Sequence, residues 1–122
     1  MKEFSYFPVN PALKRVLHWD LHNGNLVLDP ENHTLSGIID FDTVTIADLH
    51  AEFRSLYRFN PALAKEAVLA YGRMSGTSLS FRLVELYAWL IRLVDLTESE
   101  PQTQIHRNAL QRIQKWIGDE AA

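Results

Sequence analysis

Cysteine is absent from the 122 residues. Its absence excludes disulfides and thiolate-held metals and fits a reducing compartment, so a cytoplasmic location is expected. Glycine is sparse, with five residues and no two forming a G-x-G pair. A glycine-rich loop that cradles phosphates on its own amides is therefore not encoded in this stretch. Positive charge is in deficit: 12 Lys and Arg against 15 Asp and Glu give a formal net charge of −3. That offers no basic face for nucleic acid. The most apolar stretch, Leu86 to Val94, is interrupted by Arg92 and is far too short to span a bilayer. Met1-Lys2-Glu3-Phe4-Ser5 leads into no sustained apolar segment, so no signal peptide is expected.

What remains is the composition of a globular domain, 47% hydrophobic and 22% charged. One domain over residues 1–122 with a single core is expected at this length. Residues 1–15 read as an irregular arm with Phe4, Tyr6 and Phe7, or as a short helix begun by Asn10-Pro11. Leu26 to Leu28 and Leu35 to Ile39 are β-rich runs around the turn formers Asp29 to His33, a hairpin. From about Asp48 the chain reads as helical, with helices over about 48–59 and 61–74 divided by Asn60-Pro61. A third helix is capped by Ser78 or Ser80 and runs to about Thr97, with Phe81, Val84, Tyr87 (or Leu86), Leu90, Ile91 and Val94 as its apolar stripe. Ser99-Glu100-Pro101 starts a fourth helix, with Ile105, Leu110 (or Ala109), Ile113 and Trp116-Ile117 facing inward. The expected fold class is α+β and mostly helical: a small hairpin beside about four helices.

Chemistry concentrates in two stretches. His18-Trp19-Asp20-Leu21-His22-Asn23-Gly24-Asn25 places a carboxylate and, five residues on, a carboxamide; Ile38-Ile39-Asp40-Phe41-Asp42 ends an apolar strand on a second carboxylate. Phosphoryl transfer from a nucleotide uses those groups, an Asp at the attacking hydroxyl and an Asn and Asp on magnesium. The H-x-D-x-x-x-x-N spacing is that of a kinase catalytic loop.

These motifs, with Ala47-Asp48-Leu49 after them, resemble the C-terminal lobe of the aminoglycoside phosphotransferase and choline kinase family, relatives of the protein kinases. The family pattern runs roughly H-G-D-L-H-x-G-N, a hairpin, I-D-[FW]-[DEG] and a G-D-P-like turn; the tight match covers about residues 16–50. The resemblance implies a protein-kinase-like C-terminal lobe, ATP with Mg2+, and a small-molecule hydroxyl as acceptor, such as an aminoglycoside, a choline-like alcohol or another metabolite. It makes Asp20 the catalytic base and Asn25 and Asp40 the magnesium ligands. It gives His18 and Asp48 structural roles in support of the catalytic loop. Asp42 reaches a second metal or a solvated turn, and His22 lines the acceptor pocket or is solvated. The chain departs from the pattern at Trp19, where the family has a small residue, and at Ala47 and Leu49, which flank Asp48 in place of Gly and Pro.

The family's nucleotide-binding lobe has no counterpart in the sequence: only Lys2 and Lys14 of four lysines precede the loop, neither in an apolar strand. The expected chain is thus the acceptor and metal half of a phosphotransferase, inactive in isolation, or a non-catalytic remnant that binds or regulates. A third reading takes His18, Asp20 and His22 as alternating ligands of a metal-dependent hydrolase. Glu52, Glu85 and Asp95 read as solvated surface, and Trp89, Tyr87 and Trp116 as core. Loss of a covering lobe would leave Trp19, Leu26, Leu28 and Phe41 bare, so a homodimer or a partner chain on the catalytic-loop face is expected.

Overall fold

The computed structural model describes residues 10–121. Asn10 begins the described chain as a cap, its Oδ1 accepting from the Ala12 amide at 3.0 Å above a single 3-10 turn, Pro11–Leu13. The aromatic arm Phe4, Tyr6 and Phe7 lies outside the described residues. Strand β1 (Lys14–Leu17) follows, then the motif loop, then β2 (Leu26–Leu28) and β3 (Leu35–Ile38). Strand β4 (Thr45–Asp48) returns the chain to β1. The result is two separate two-stranded sheets, β1 with β4 and β2 with β3, both antiparallel.

The hairpin forms where turn chemistry placed it. Asp29 Oδ1 accepts from the amides of Glu31 and Asn32, and His33 takes the left-handed conformation at φ 58°. Leu26 faces Ile38 and Val27 faces Gly37, with an irregularity after Val27. Strand β3 ends at Ile38, earlier than expected, because Asp40 turns left-handed at φ 62° and breaks the extended run.

Strand β4 corrects the expected helix over 48–59. Thr45-Ile46-Ala47-Asp48 pairs residue for residue with Leu17 back to Lys14, and the following turn, Leu49–Phe53, is 3-10. Only Arg54–Phe59 is α-helix, here α1. Local helix signals lose here to a ladder that satisfies the backbone groups of both strands.

Helix α2 (Pro61–Ser75) starts as Asn60-Pro61 indicates, with Asn60 Oδ1 accepting from the Leu63 amide at 3.1 Å, and ends on Gly76 at φ 71°. Helix α3 (Phe81–Glu98) is capped by Ser80. Helix α4 (Gln104–Ala121) begins later than Ser99-Glu100-Pro101 implied; Thr103 Oγ1 accepts from the His106 amide instead. The core gathers Leu17, Leu49, Phe53, Val68 and Val84, with Trp19, Tyr71, Phe81 and Tyr87 packed on it.

Two apolar stripes are rotated from expectation. On α3 the buried positions are Val84, Leu86, Ala88 and Arg92, while Leu90 and Val94 are exposed. On α4 only Ala109 and Ile113 are buried; Ile105, Leu110 and Ile117 face solvent. Trp116 is half-buried and stacks on Trp89, with centroids 5.1 Å apart and planes 16° apart. Helix α3 packs against α1, α4 and the 3-10 turn, so several faces share its burial and no single stripe carries it. Among the described residues no helix is long and apolar enough to cross a membrane.

Candidate active site

The two sheets frame the motif loop. β1 delivers the chain to His18, the hairpin leaves at Asn25 and comes back at Ile39, and β4 carries the chain away. The loop and the returning segment are stitched by three bonds. The Ile39 amide donates to Asn25 O at 3.0 Å, His18 Nε2 donates to Ile39 O at 2.8 Å, and Thr43 Oγ1 donates to His18 O at 3.2 Å. Residue 39 is thus held from both ends of the loop, which fixes Asp40 next to it.

His18 is fully committed. Its Nδ1 accepts from the Asp20 amide at 3.2 Å while Nε2 donates to Ile39 O, so the ring is the neutral Nε2–H tautomer. Phe41 meets its ring edge-on at 4.7 Å. This counts against the metallohydrolase reading, since both His18 ring nitrogens are engaged within the protein. His22 Nδ1 likewise accepts from the Gly24 amide at 2.9 Å. A Cβ at Gly24 would stand 2.8 Å from His22 Cε1, so a larger residue there displaces the histidine ring; the φ of Gly24 is not positive.

Asp20 and Asn25 are bonded to each other. Asn25, 6% exposed, donates through Nδ2 to Asp20 O at 2.9 Å and to Asp20 Oδ2 at 3.2 Å. His22 Nε2 lies 3.5 Å from the same Oδ2. All of these bonds use the Asn25 nitrogen, and no described residue donates to its Oδ1. Asp40 is exposed and accepts no hydrogen bond from the described residues. Two hard oxygen donors are therefore unclaimed by the described residues, the donor chemistry that magnesium takes. Among the described residues no three His, Cys, Asp or Glu side chains gather as a metal set, so an ion here would complete its shell with water and phosphate. Asp42 is exposed.

Trp19 sits at φ 75°, the left-handed region that glycine occupies freely and a bulky residue does not. That conformation accounts for the small residue in the family pattern. Trp19 holds it through two neighbours that the sequence did not single out for this purpose. The Arg54 guanidinium lies 3.9 Å from the Trp19 ring centroid, and its Nη2 donates to Trp19 O at 2.7 Å. Glu52 Oε2 accepts from the Trp19 amide at 3.4 Å, so Glu52 is not solvated surface. Burial depresses the Arg54 pKa even though Glu52 and Asp20 favour its charge. Trp19 is part of the packed core margin and not of an exposed face.

Asp48 caps the turn after β4. Its Oδ1 accepts from the His50 amide at 2.9 Å and from His50 Nδ1 at 2.7 Å, and Tyr87 also bonds it. The buried His50 then accepts from the Ser80 amide through Nε2 at 3.0 Å, which ties β4 to the start of α3.

Beside Asp20 and His22 opens a cleft of about 450 Å³ whose far walls are helical: Arg58 from α1, Arg92 and Asp95 from α3, Arg112 from α4. Arg58 Nη2 pairs with Asp95 Oδ2 at 2.6 Å, so Asp95 also is not free surface. The Arg92 pKa is lowered to about 10, first by burial and then by Arg112 and Arg58. The only sign of this wall in the sequence is Arg92 breaking an apolar run.

The sequence profile of the phosphotransferase enzyme family matches residues 3–90. The chain belongs to the phosphotransferase enzyme family. It is also similar to an aminoglycoside 3'-phosphotransferase of Streptomyces ribosidificus, 35% identical over 66 residues. That match takes in 47% of this chain and 25% of the relative, so the chain aligns with about a quarter of the relative's length. No solved structure matches the chain. The family match contains the motif loop, Asp40 and Asp48, whereas Arg92 and Arg112 lie beyond it.

Proposed function

We propose that the chain is the C-terminal catalytic-lobe portion of a small-molecule phosphotransferase, with a protein-kinase-like arrangement, that transfers the γ-phosphoryl group of ATP to a hydroxyl. The observation that carries this reading is the Asp20–Asn25 pair at 3.2 Å, with Asp40 fixed beside it through Ile39. Asp20 holds the acceptor hydroxyl in line and takes its proton as the oxygen bonds to phosphorus and the bond to the ADP leaving oxygen breaks. Asn25 Oδ1 and the Asp40 carboxylate would hold magnesium, which would supply charge neutralisation on the phosphates. His18 and Asp48 position: the first pins Ile39, the second ties β4 to α3. His22 lines the acceptor cleft, and Asp42 stays in solvent.

Groups that grip the triphosphate come from outside these 122 residues on this reading, because no G-x-G occurs in them and the strand lysine of the described residues, Lys14 at the start of β1, is exposed to solvent. On this reading they dock on exposed apolar surface such as the Val16–Ile46 pair, each about 70% exposed, either as a nucleotide-binding lobe or on a partner chain; a second copy can cover the same surface.

Magnesium titration, followed by the NMR shifts of the Asn25 and Asp40 amides, tests the metal assignment. Without phosphates the affinity is expected to be weak, on the order of millimolar, and lost in Asp40→Asn. Tight zinc binding that depends on His18 and His22 would overturn the reading in favour of the metallohydrolase.

A further inference from the structure

Among the described residues Arg92 is a buried guanidinium that lines a cleft and lacks a hydrogen-bond partner at Nε. It is 8% exposed, its Nε is buried without a partner, and no described residue hydrogen-bonds or ion-pairs with its guanidinium. The Trp89 ring, 5.1 Å away, offers a face but no acceptor. Asp95, which favours the charge, is held by Arg58 at 2.6 Å. A guanidinium carries five donors in a fixed fork, and burying it unpaired is strongly unfavourable unless an anion arrives.

The surroundings point the same way. Arg92 lines the cleft that opens on Asp20, and Arg112 lines it too. With Asp95 neutralised by Arg58, the charges left to meet a ligand are Arg92 and Arg112 at the helical end and Asp20 at the loop end. The volume, about 450 Å³, suits one small metabolite. A cationic acceptor such as an amino sugar or a choline-like alcohol would meet two like charges there, which disfavours it.

We propose that the acceptor is an anionic hydroxy compound whose carboxylate or phosphate is gripped by Arg92 and Arg112, while its hydroxyl is presented to Asp20. The proposal rests on the phosphotransferase reading above and assigns its substrate class. Arg92 and Arg112 fall outside the family-matched segment, so the shared chemistry and the acceptor selection are carried by different parts of the chain. Both carboxylate and phosphate suit the fork of an arginine, which binds either through paired N–H donors.

The test is calorimetric titration of the 122-residue chain with glycerate and glycerol 3-phosphate, against glycerol, choline and tripolyphosphate. The two anionic alcohols separate carboxylate from phosphate; glycerol removes the charge, choline reverses it, and tripolyphosphate stands in for the nucleotide. At least one anionic alcohol is expected to bind, glycerol and choline are not, and Arg92→Met and Arg112→Gln should each weaken binding roughly tenfold or more, the loss of one charged hydrogen bond. Arg112 is exposed, so its variant reports on binding whether or not Arg92→Met alters the fold. Choline binding more tightly than either anion, or anion binding unchanged in both variants, would overturn the proposal. So would tripolyphosphate binding that needs Arg92 while neither anionic alcohol binds. Asp20-dependent phosphorylation of a cationic alcohol would sink the anionic acceptor and leave the phosphotransferase reading intact. Arginine-dependent anion binding with no Asp20-dependent transfer by the chain joined to a nucleotide-binding lobe of the family would support the anion site and count only against the phosphotransferase reading.

Discussion

At position 19 a tryptophan occupies backbone territory that belongs to glycine, and the terms can be weighed. A non-glycine residue held at φ 75° costs about 1–3 kcal/mol. Against this stand the Arg54 stack at 3.9 Å, the bonds to both main-chain groups of Trp19, and its packing on the core. Truncating a buried aromatic costs about 3–5 kcal/mol, less at a half-buried site. Trp19→Gly is therefore expected to destabilise by about 1–2 kcal/mol in urea unfolding despite relieving the strain; a gain in stability would show that strain outweighs packing. Residue identities were easier to read than their partners. Asp20, Asn25 and Asp40 stood out because their spacing is a chemical pattern. Arg54, Glu52 and Arg92 did not, because what makes each informative is a neighbour 33 to 35 positions away or the absence of one. Asp95 and Glu52 read as surface for the same reason: local sequence does not show that Arg58 and the Trp19 amide reach them.

Helix ends were legible at α2, where the caps are local events, and not at the start of α4, where Thr103 and not Ser99 takes the first-turn amide. Asn60-Pro61 and Gly76 delimit α2 as their conformations require. The hairpin was legible because Asp29 organises its own turn. Strand β4 was not, since its partner β1 lies some thirty residues earlier and nothing in Thr45 to Asp48 announces that pairing. The glycines give an element-level check with opposite signs. Gly76 sits at φ 71° with nothing within 4 Å of where a Cβ would go, so Gly76→Ala is expected to cost about 1 kcal/mol from the backbone alone. Gly118, inside α4 and equally open, lies at an ordinary helical position, so Gly118→Ala should stabilise by about 0.5–1 kcal/mol. Thermal or urea unfolding of the pair reads both, and a shared sign would contradict the assignment of these two ends.

Across the whole molecule, apolar surface is spread unevenly. The cross-strand pairs Val16 with Ile46 and Leu28 with Leu35 are all more than half exposed, and so is Phe41. Two-stranded sheets also leave strand edges unpaired. Association through one or more of these exposed pairs is expected, visible in light scattering as a mass that rises with concentration; a monodisperse monomer, with and without residues 1–10, would contradict it. The central proposal concerns the motif loop: that Asp20 activates a hydroxyl beside a magnesium that Asn25 and Asp40 would hold. The most direct test is phosphoryl transfer from ATP to a set of hydroxyl metabolites by the chain joined to a nucleotide-binding lobe of the family, compared between the native sequence and Asp20→Asn. Turnover that falls by roughly 10²–10⁴-fold in the variant is the predicted result. Turnover that Asp20→Asn leaves unchanged would contradict it.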